Sequence, residues 1–227
     1  MTPGTLYLVS TPIGNLADLS FRAVETLKKV DLIACEDTRH SKILLDHYAI
    51  AKPLISFFDA SERRKSEMLI EKMKAGQNIA LVSDAGTPAI ADPGYRLVKA
   101  ALEAGIALEA IPGPAAFLTA LSLSGLPTDS FIFDGFLPVK SGARRKQLAS
   151  YIKEERTVIL YESPHRILKA LEDIQAELGD IHMVVARELT KKFQEVTRGP
   201  VSEAIAHYSS KKILGEFVIL FNLHERA

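Results

Sequence analysis

Charged residues gather at two points where the sequence predicts that a strand ends. The segment EDTRH at 36–40 places two carboxylates, an arginine and a histidine together, and YESPHR at 161–166 places one carboxylate, a histidine and an arginine together in the second half of the chain. The segment ARELTKK at 186–192 adds a third group of charges. Such residues cannot all point into an apolar core. They form either an ion-pair and helix-capping network or a site for acid–base chemistry, and both interpretations stay open here.

The segment SDAGTPAIADPG at 83–94 has more turn residues than a simple connection needs. It follows the apolar run 78–82, a predicted buried strand, and it precedes an amphipathic helix. Connections of this kind usually run to about 2–6 residues. Because ligands of open α/β sheets bind outside the carboxyl ends of the strands, we expect a ligand here. Asp92 and Pro93 are expected instead to start the next helix, as its cap and its first residue.

Four loops of this kind are predicted at the carboxyl ends of strands, where a doubly wound sheet lets them share one ligand. They are 11–18, 36–41, 83–94 and 112–117. None of them carries G-x-x-x-x-G-K-[ST] or G-x-G-x-x-G, so binding of ATP or a dinucleotide by those motifs is unsupported. The histidines lack the spacing of a zinc site, and we expect no metal. The absence of G-x-S-x-G disfavours an α/β-hydrolase.

Strands and helices alternate along the chain, which predicts an α/β fold. We expect two α/β domains, 1–112 and 113–227, joined near the PGPAAF turn with a cleft between them. A helix is predicted from about Ser61 to Ala75, and an additional short antiparallel strand is predicted within 191–199.

Composition excludes few functions. Lys and Arg together number 28, as do Asp and Glu, so the net charge of zero gives no general reason to expect nucleic acid. Local basic segments at 140–146 and 187–192 could still contact phosphates. The single cysteine, Cys35, is interpreted as a small buried hydrophobic residue. No apolar run reaches the ~20 residues of a membrane span and the amino terminus has no export signal, so we expect a cytoplasmic protein.

Several longer motifs occur in order between Thr5 and about Phe221. They are TPIGNLADLSFRA, DLIACEDTRHS, LVSDAGTP with ADPGY, PGP followed by ALSLSGLP, GFLPVKSGARRK, YESPHRI, and ARELTKKFQEV with RG. Together they resemble the bacterial ribosomal RNA small-subunit methyltransferase I family, which belongs to the tetrapyrrole methylase class of enzymes that use S-adenosylmethionine (SAM).

The resemblance implies a SAM-dependent enzyme that methylates the ribose 2′-hydroxyl of a cytidine in the decoding region of the small-subunit ribosomal RNA. It also implies two α/β domains of tetrapyrrole-methylase type, SAM in the cleft between them, and a homodimer. One alternative is a tetrapyrrole (precorrin-type) methyltransferase, against which the basic segments argue. Another is a non-catalytic RNA-binding protein on the same fold, which the near-intact loop at 83–94 disfavours. Longer members of the family continue past the last strand into a small helical region, whereas this sequence ends at Ala227.

The resemblance also assigns cofactor residues by position. They are Pro12, Asp84, Gly86, Thr87, Ala89, Ile90, Ala115, Ala116, Tyr161, Glu188 and Leu189. We hypothesise that Asp37 or Glu162 accepts the proton of the hydroxyl, because both lie in charged clusters at strand ends. The basic residues expected to bind RNA phosphates are Arg39, Arg144, Arg145, Arg166, Arg187 and Lys191.

Overall fold

A computed structural model describes residues 2–58 and 62–224 of the chain. One compact unit ends at Ala115 and a second begins at Ala116. Each unit contains a single five-stranded sheet with helices, so the predicted α/β class is confirmed.

The sheet of the first unit is parallel at every strand pair that the structure describes, in the order β3-β2-β4-β1-β5. The strands are β1 (Thr5–Val9), β2 (Leu32–Cys35), β3 (Leu54–Ser56), β4 (Ile79–Val82) and β5 (Ala107–Ile111). All of β4 is buried. A strand that helices cover on both faces has to be apolar throughout, which explains the continuous run IALV.

Four helices connect these strands: α1 (Phe21–Lys29), α2 (Thr38–His47), α3 (Glu62–Lys74) and α4 (Tyr95–Glu103). The first two begin at side-chain caps, because Ser20 accepts from the N–H of Ala23 and Asp37 accepts from that of Arg39. The expected start of α3 at Ser61 lies outside the described residues. Two apolar clusters form the core of the unit, and Cys35 is fully buried in one of them, as predicted.

The start of α4 differs from the prediction. The helix begins at Tyr95, so Pro93 is not its first residue, and Gly94 rather than Asp92 stands at the cap position. The Asp92 carboxylate instead accepts a 2.5 Å hydrogen bond from the hydroxyl of Ser83. The cap comes from Glu62 in α3, whose Oε1 accepts from the N–H groups of Gly94 and Arg96 at 3.1 and 3.2 Å.

The sheet of the second unit is mixed, in the order β6-β7-β10-β8-β9. Its strands are β6 (Phe131–Phe136), β7 (Thr157–Glu162), β8 (His182–Arg187), β9 (Glu195–Pro200) and β10 (Phe217–Phe221). Only β6 and β7 pair in parallel among the pairs that the structure describes. The predicted antiparallel strand within 191–199 is confirmed as β9.

The helices of this unit are α5 (Ala116–Ser124), α6 (Ser141–Ser150), α7 (Ile167–Leu178) and α8 (Val201–Ser209). Arg198 donates to the carbonyls of Leu123 and Ser124 at the end of α5, where helix carbonyls lack partners and attract a cation. Of the helices in the described ranges, none has the length and apolarity that crossing a bilayer requires.

Candidate functional site

The four loops singled out in the sequence follow β1, β2, β4 and β5, which are neighbours in the first sheet. Because these strands are parallel, their carboxyl ends meet at one edge. The loops therefore lie side by side, in the position where ligands of open α/β sheets bind.

Hydrogen bonds join the loops after β1, β4 and β5. The backbones of Thr11 and Gly86 exchange two bonds, at 2.9 and 3.1 Å. The hydroxyls of Ser10 and Thr87 are 3.1 Å apart, and Thr87 also donates to the carbonyl of Pro114 at 3.3 Å. These contacts place Gly86 and Thr87 in one fixed structure with the loop that follows β5.

The loop after β2 joins the same edge through a carboxylate. Oδ1 of Asp84 accepts a 3.1 Å hydrogen bond from the backbone N–H of Asp37. Asp37 caps α2, and its carboxylate pairs with Arg39 at 2.6 Å. Hydrogen bonds from the side chain and backbone of Arg39 hold the pKa of Asp37 well below its usual range. A carboxylate with a lowered pKa is a weak proton acceptor.

Strained backbone marks two of the loops that were predicted to bind the cofactor. Five residues other than glycine adopt positive φ among the described residues. Ala89 and Ala91 belong to the loop at 83–94, while Glu188 and Thr190 follow β8. Such conformations cost of order 1–3 kcal/mol each and concentrate at ligand sites. The positions of these residues thus fit a ligand site at the predicted cofactor loops.

The donors and acceptors at the first-unit edge also suit SAM. Backbone groups, the Asp84 carboxylate and the Thr87 hydroxyl provide polar partners, while the exposed Ile90 offers apolar surface. A sulfonium cation, an adenine and an amino-acid group need such a mixture rather than a triphosphate cradle. Of the other first-unit cofactor residues, Pro12 is buried and Ala115 is half-buried.

The second unit carries the remaining predicted cofactor residues. Ala116 is the first residue of α5. Tyr161 lies near the end of β7, and its hydroxyl accepts from the N–H of Phe117 at 3.2 Å. Burial raises the pKa of Glu188, but hydrogen bonds from Lys191 and from the N–H of Glu216 outweigh burial, and the pKa is lowered. Leu189 is buried beside it.

Glu162, the second candidate for the proton acceptor, is almost completely buried at the end of β7. Oε1 accepts from the N–H of Ser163 at 2.8 Å, and Oε2 lies 3.3 Å from Nη2 of Arg166. Burial raises the pKa of this carboxyl against the opposing effects of Ser163 and Arg166. The raised pKa favours proton uptake, but the burial keeps the carboxylate away from solvent.

The basic residues predicted to bind RNA differ widely in exposure, and every one has an acidic partner. Arg39 is the most exposed, with 90% of its side chain accessible, and Arg145 pairs with Glu177 at a half-exposed position. Arg187 and Lys191 are more enclosed and pair with Glu195 and Glu188. Arg39 and Arg145 are therefore the best placed of the six for contact with a phosphate.

Arg144 is not placed to contact RNA. Its side chain is 5% exposed, and it binds Asp173 through Nη2 at 2.5 Å and through Nε at 2.7 Å. A buried charge is costly unless a partner compensates it, and here the partner is Asp173 of α7. The sequence segment KSGARRK marked the residue as basic but gave no sign of the carboxylate that removes it from the surface.

Some residues of the site escaped the sequence analysis. Ser10, Thr11 and Ser83 are buried polar residues that connect the loops, and the hydroxyl of Thr11 donates to the carbonyl of Ser83 at 3.0 Å. Their positions directly after β1 and β4 are the sequence feature by which they could have been predicted. Within residues 2–58 and 62–224, no group of three or more His, Cys, Asp or Glu side chains is arranged to hold a metal ion.

Comparison with known families decides the class of this site. The model of the Tetrapyrrole (Corrin/Porphyrin) Methylases matches residues 5–205. The chain belongs to this family. Family membership makes it a methyltransferase, and SAM is the methyl donor that the family uses.

Within the family, relatives from different bacteria that are about half identical to this chain carry the same name. "Ribosomal RNA small subunit methyltransferase I" of Escherichia coli O157:H7 is 51% identical over 225 residues, which cover 98% of this chain and 79% of that protein. The protein of the same name from Thermotoga maritima is 46% identical over 219 residues, with coverage of 96% and 98%. The family resemblance inferred from the sequence motifs is thereby confirmed.

Solved structures confirm the fold at lower identity. Diphthine synthase matches with a TM-score of 0.78 at 16% identity, covering 96% of this chain and 90% of that one. Cobalt precorrin-4 methyltransferase gives 0.72 at 18% identity, with coverage of 98% and 96%. Uroporphyrin-III C-methyl transferase from Thermus thermophilus, complexed with S-adenosyl homocysteine, gives 0.66 at 17%, with coverage of 97% and 98%. At such identities these matches establish the methylase fold and nothing narrower.

Proposed function

We propose that this chain transfers a methyl group from SAM to the ribose 2′-hydroxyl of a cytidine in the decoding region of small-subunit ribosomal RNA. The observation that carries the proposal is the identity of about half over nearly the whole chain with proteins named for that ribosomal RNA. The joined loops at the carboxyl edge of the first sheet support it, because they offer the backbone and side-chain groups that SAM needs.

The first-unit residues would bind the donor from this edge. Gly86 and Thr87 lie where the loops after β1 and β5 meet, and Asp84 links the same loop to the one after β2. When bound, SAM supplies an activated methyl group. The edge therefore has to position it in line with the incoming oxygen, and positioning of this kind provides much of the rate. The roles of Tyr161, Glu188 and Leu189 in cofactor binding stay predictions.

The ribose hydroxyl must lose a proton, and Asp37 and Glu162 are the proposed acceptors. The raised pKa of Glu162 suits the task better than the lowered pKa of Asp37. Glu162 would have to be released from Arg166 before it reached a ribose, since that pair holds it inside the unit. Arg39 and Arg145 are proposed to contact the phosphates, because their side chains are the most accessible of the six candidates.

Two further properties belong to the proposal. A cytoplasmic location follows from the ribosomal substrate, and a homodimer is the state that the resemblance implies. Light scattering of the purified protein tests the second of these, and a monomeric mass would contradict it.

The decisive experiment uses labelled SAM and small ribosomal subunits from a strain that lacks the modification. We expect label on one cytidine ribose of the decoding region, located by nuclease digestion and mass spectrometry. Label on a tetrapyrrole with none on RNA would replace the proposal with the precorrin-type alternative. Binding of the subunits without binding of SAM in calorimetry would support a non-catalytic RNA-binding protein.

A further inference from the structure

Two arginines hold three successive backbone carbonyls in a loop that has no regular structure. Nη2 of Arg166 donates to the carbonyl of Leu137. Nη1 of Arg144 lies 3.4 Å from the carbonyl oxygen of Pro138 and 3.2 Å from that of Val139. We call residues 136–140, which run from the last residue of β6 to the residue before α6, the pinned loop.

Both arginines are fixed in turn by carboxylates. Arg144 binds Asp173 through two nitrogens, and Asp173 also accepts from the hydroxyl of Ser141 at 3.1 Å. Arg166 pairs with the buried Glu162. An arginine whose planar fork is already held loses little further freedom when it binds a carbonyl. The pinned loop is therefore rigid before any partner arrives.

The pinned loop presents apolar side chains to solvent. Val139 is 75% exposed and Phe136 is 52% exposed. The ring of Phe136 contacts Tyr161 edge-on, with the ring centroids 5.6 Å apart. Lys140 is exposed as well, and throughout the described ranges it has no acidic partner. The loop thus combines an accessible aromatic ring, a neighbouring aliphatic side chain and an uncompensated positive charge.

These groups fit a single-stranded nucleotide. Bases stack on aromatic side chains whatever their sequence, and a lysine without an acidic partner attracts the phosphate. Tyr161 is a predicted cofactor residue, so a base on Phe136 would lie next to a residue that is expected to contact the methyl donor. We propose that the pinned loop contacts an unpaired nucleotide of the RNA substrate, with Arg144 and Arg166 as positioning residues. This inference rests on the proposed function and adds the RNA contact surface to it.

Binding measurements without turnover test the surface. Phe136→Ala and Val139→Asp are compared with wild type for binding to unmodified small subunits, with S-adenosyl homocysteine present. We expect Phe136→Ala to weaken binding about tenfold, which is within the effect of removing one aromatic–base stack. Val139→Asp should weaken binding as well, because it places a negative charge where a phosphate chain is expected. Affinity for SAM, measured by calorimetry, should not change. Ile152→Ala is the matched control, because Ile152 is also 52% exposed and lies outside the loop.

A second substitution tests the positioning role. Arg144→Lys keeps a charge beside Asp173 but loses the fork that holds the two carbonyls. We expect the KM for small subunits to rise several-fold while kcat at saturating RNA stays the same. Arg156→Ala, which removes an arginine paired with Glu154 elsewhere in the unit, should change neither value. An equal loss of kcat in Arg144→Lys, with KM unchanged, would contradict positioning.

The surface proposal is overturned if both loop variants bind subunits as Ile152→Ala does. It is also overturned if light scattering shows that they separate two copies of the chain, since the loop would then be a protein interface. Transfer to RNA with unaffected loop variants would contradict this inference alone. Binding that depends on Phe136 without any methyl transfer would instead contradict the proposed function alone.

Discussion

Glu62 caps helix α4 through Gly94, whose backbone N–H donates to Oε1 of the carboxylate at 3.1 Å. The same oxygen accepts from the N–H of Arg96, and the Glu62 side chain is buried. Helix N–H groups without partners are costly when buried, and here α3 satisfies two of them for α4. The bond also holds the end of the 83–94 loop, so the stability of this helix start and the geometry of the loop depend on one carboxylate.

We therefore expect Glu62→Ala to lower the free energy of unfolding by about 1–3 kcal/mol, because two buried donors lose their acceptor. Glu62→Gln should lose less, since its amide oxygen can still accept. Urea unfolding measures both effects. Glu67→Ala, at an exposed position of the same helix, is the control and should change stability little. Equal stability of Glu62→Ala and the control would disprove the capping role.

Substitution of Gly86 should weaken SAM binding in addition to the loss of stability that backbone strain causes. Gly86 has a φ of +89°, and an added Cβ would lie 3.4 Å from Ile13. Alanine at this position would cost about 1–2 kcal/mol of backbone strain. It would also disturb the two backbone hydrogen bonds with Thr11. Gly105, with a φ of +67° and open space around it, is the matched control. We expect both alanine variants to lower stability, but only Gly86→Ala to weaken SAM binding in calorimetry.

The loops could be found from the sequence because each depends on residues next to one another in the chain. Turn residues after an apolar run marked 83–94, and the alternation of strands and helices placed the four loops at one sheet edge. Family motifs then identified the ligand. Such local patterns are predictive because the residues of a turn largely determine its backbone conformation.

The sequence did not show which side chains form hydrogen bonds or ion pairs with residues far away in the chain. Aspartate is a common helix cap and Asp92 lies just before α4. The carboxylate that accepts from Gly94 at the start of that helix is nevertheless Glu62, while Asp92 accepts from Ser83. Arg144 sits in a basic segment, yet Asp173 removes it from the surface. Both errors have one cause, since the partner that decides the role lies far away in the chain.

Single-turnover methylation should rank the two proposed proton acceptors. We expect Glu162→Gln to slow transfer more than Asp37→Asn, because only Glu162 has a pKa raised toward the value that suits a base. SAM binding is measured in parallel, and only variants that bind it normally are compared. Near-normal transfer by both variants would remove both residues from the mechanism.

The pH dependence of stability tests the burial of Glu162 separately. The folded state holds the Glu162 proton more tightly than the unfolded chain, because burial raises the pKa above the ordinary value of 4.5. Wild-type stability therefore loses this contribution as pH rises from that value to the raised one. Relative to wild type, Glu162→Gln should become more stable across this window and level off above it. Urea unfolding at several pH values measures the difference, and Glu172→Gln at an exposed position of α7 is the control.

The ion pair of Arg144 with Asp173 should show strong coupling in a double-mutant cycle. Either Arg144→Met or Asp173→Leu alone leaves a buried charge without its partner, and each should lower the free energy of unfolding by about 3–5 kcal/mol. The double variant should lose much less than the sum, because no unpaired charge remains and apolar side chains fill the space. The double variant would still lack the guanidinium group that binds the carbonyls of Pro138 and Val139. We therefore expect it to have near-normal stability but weakened RNA binding. Additive losses would mean that the two side chains do not depend on each other.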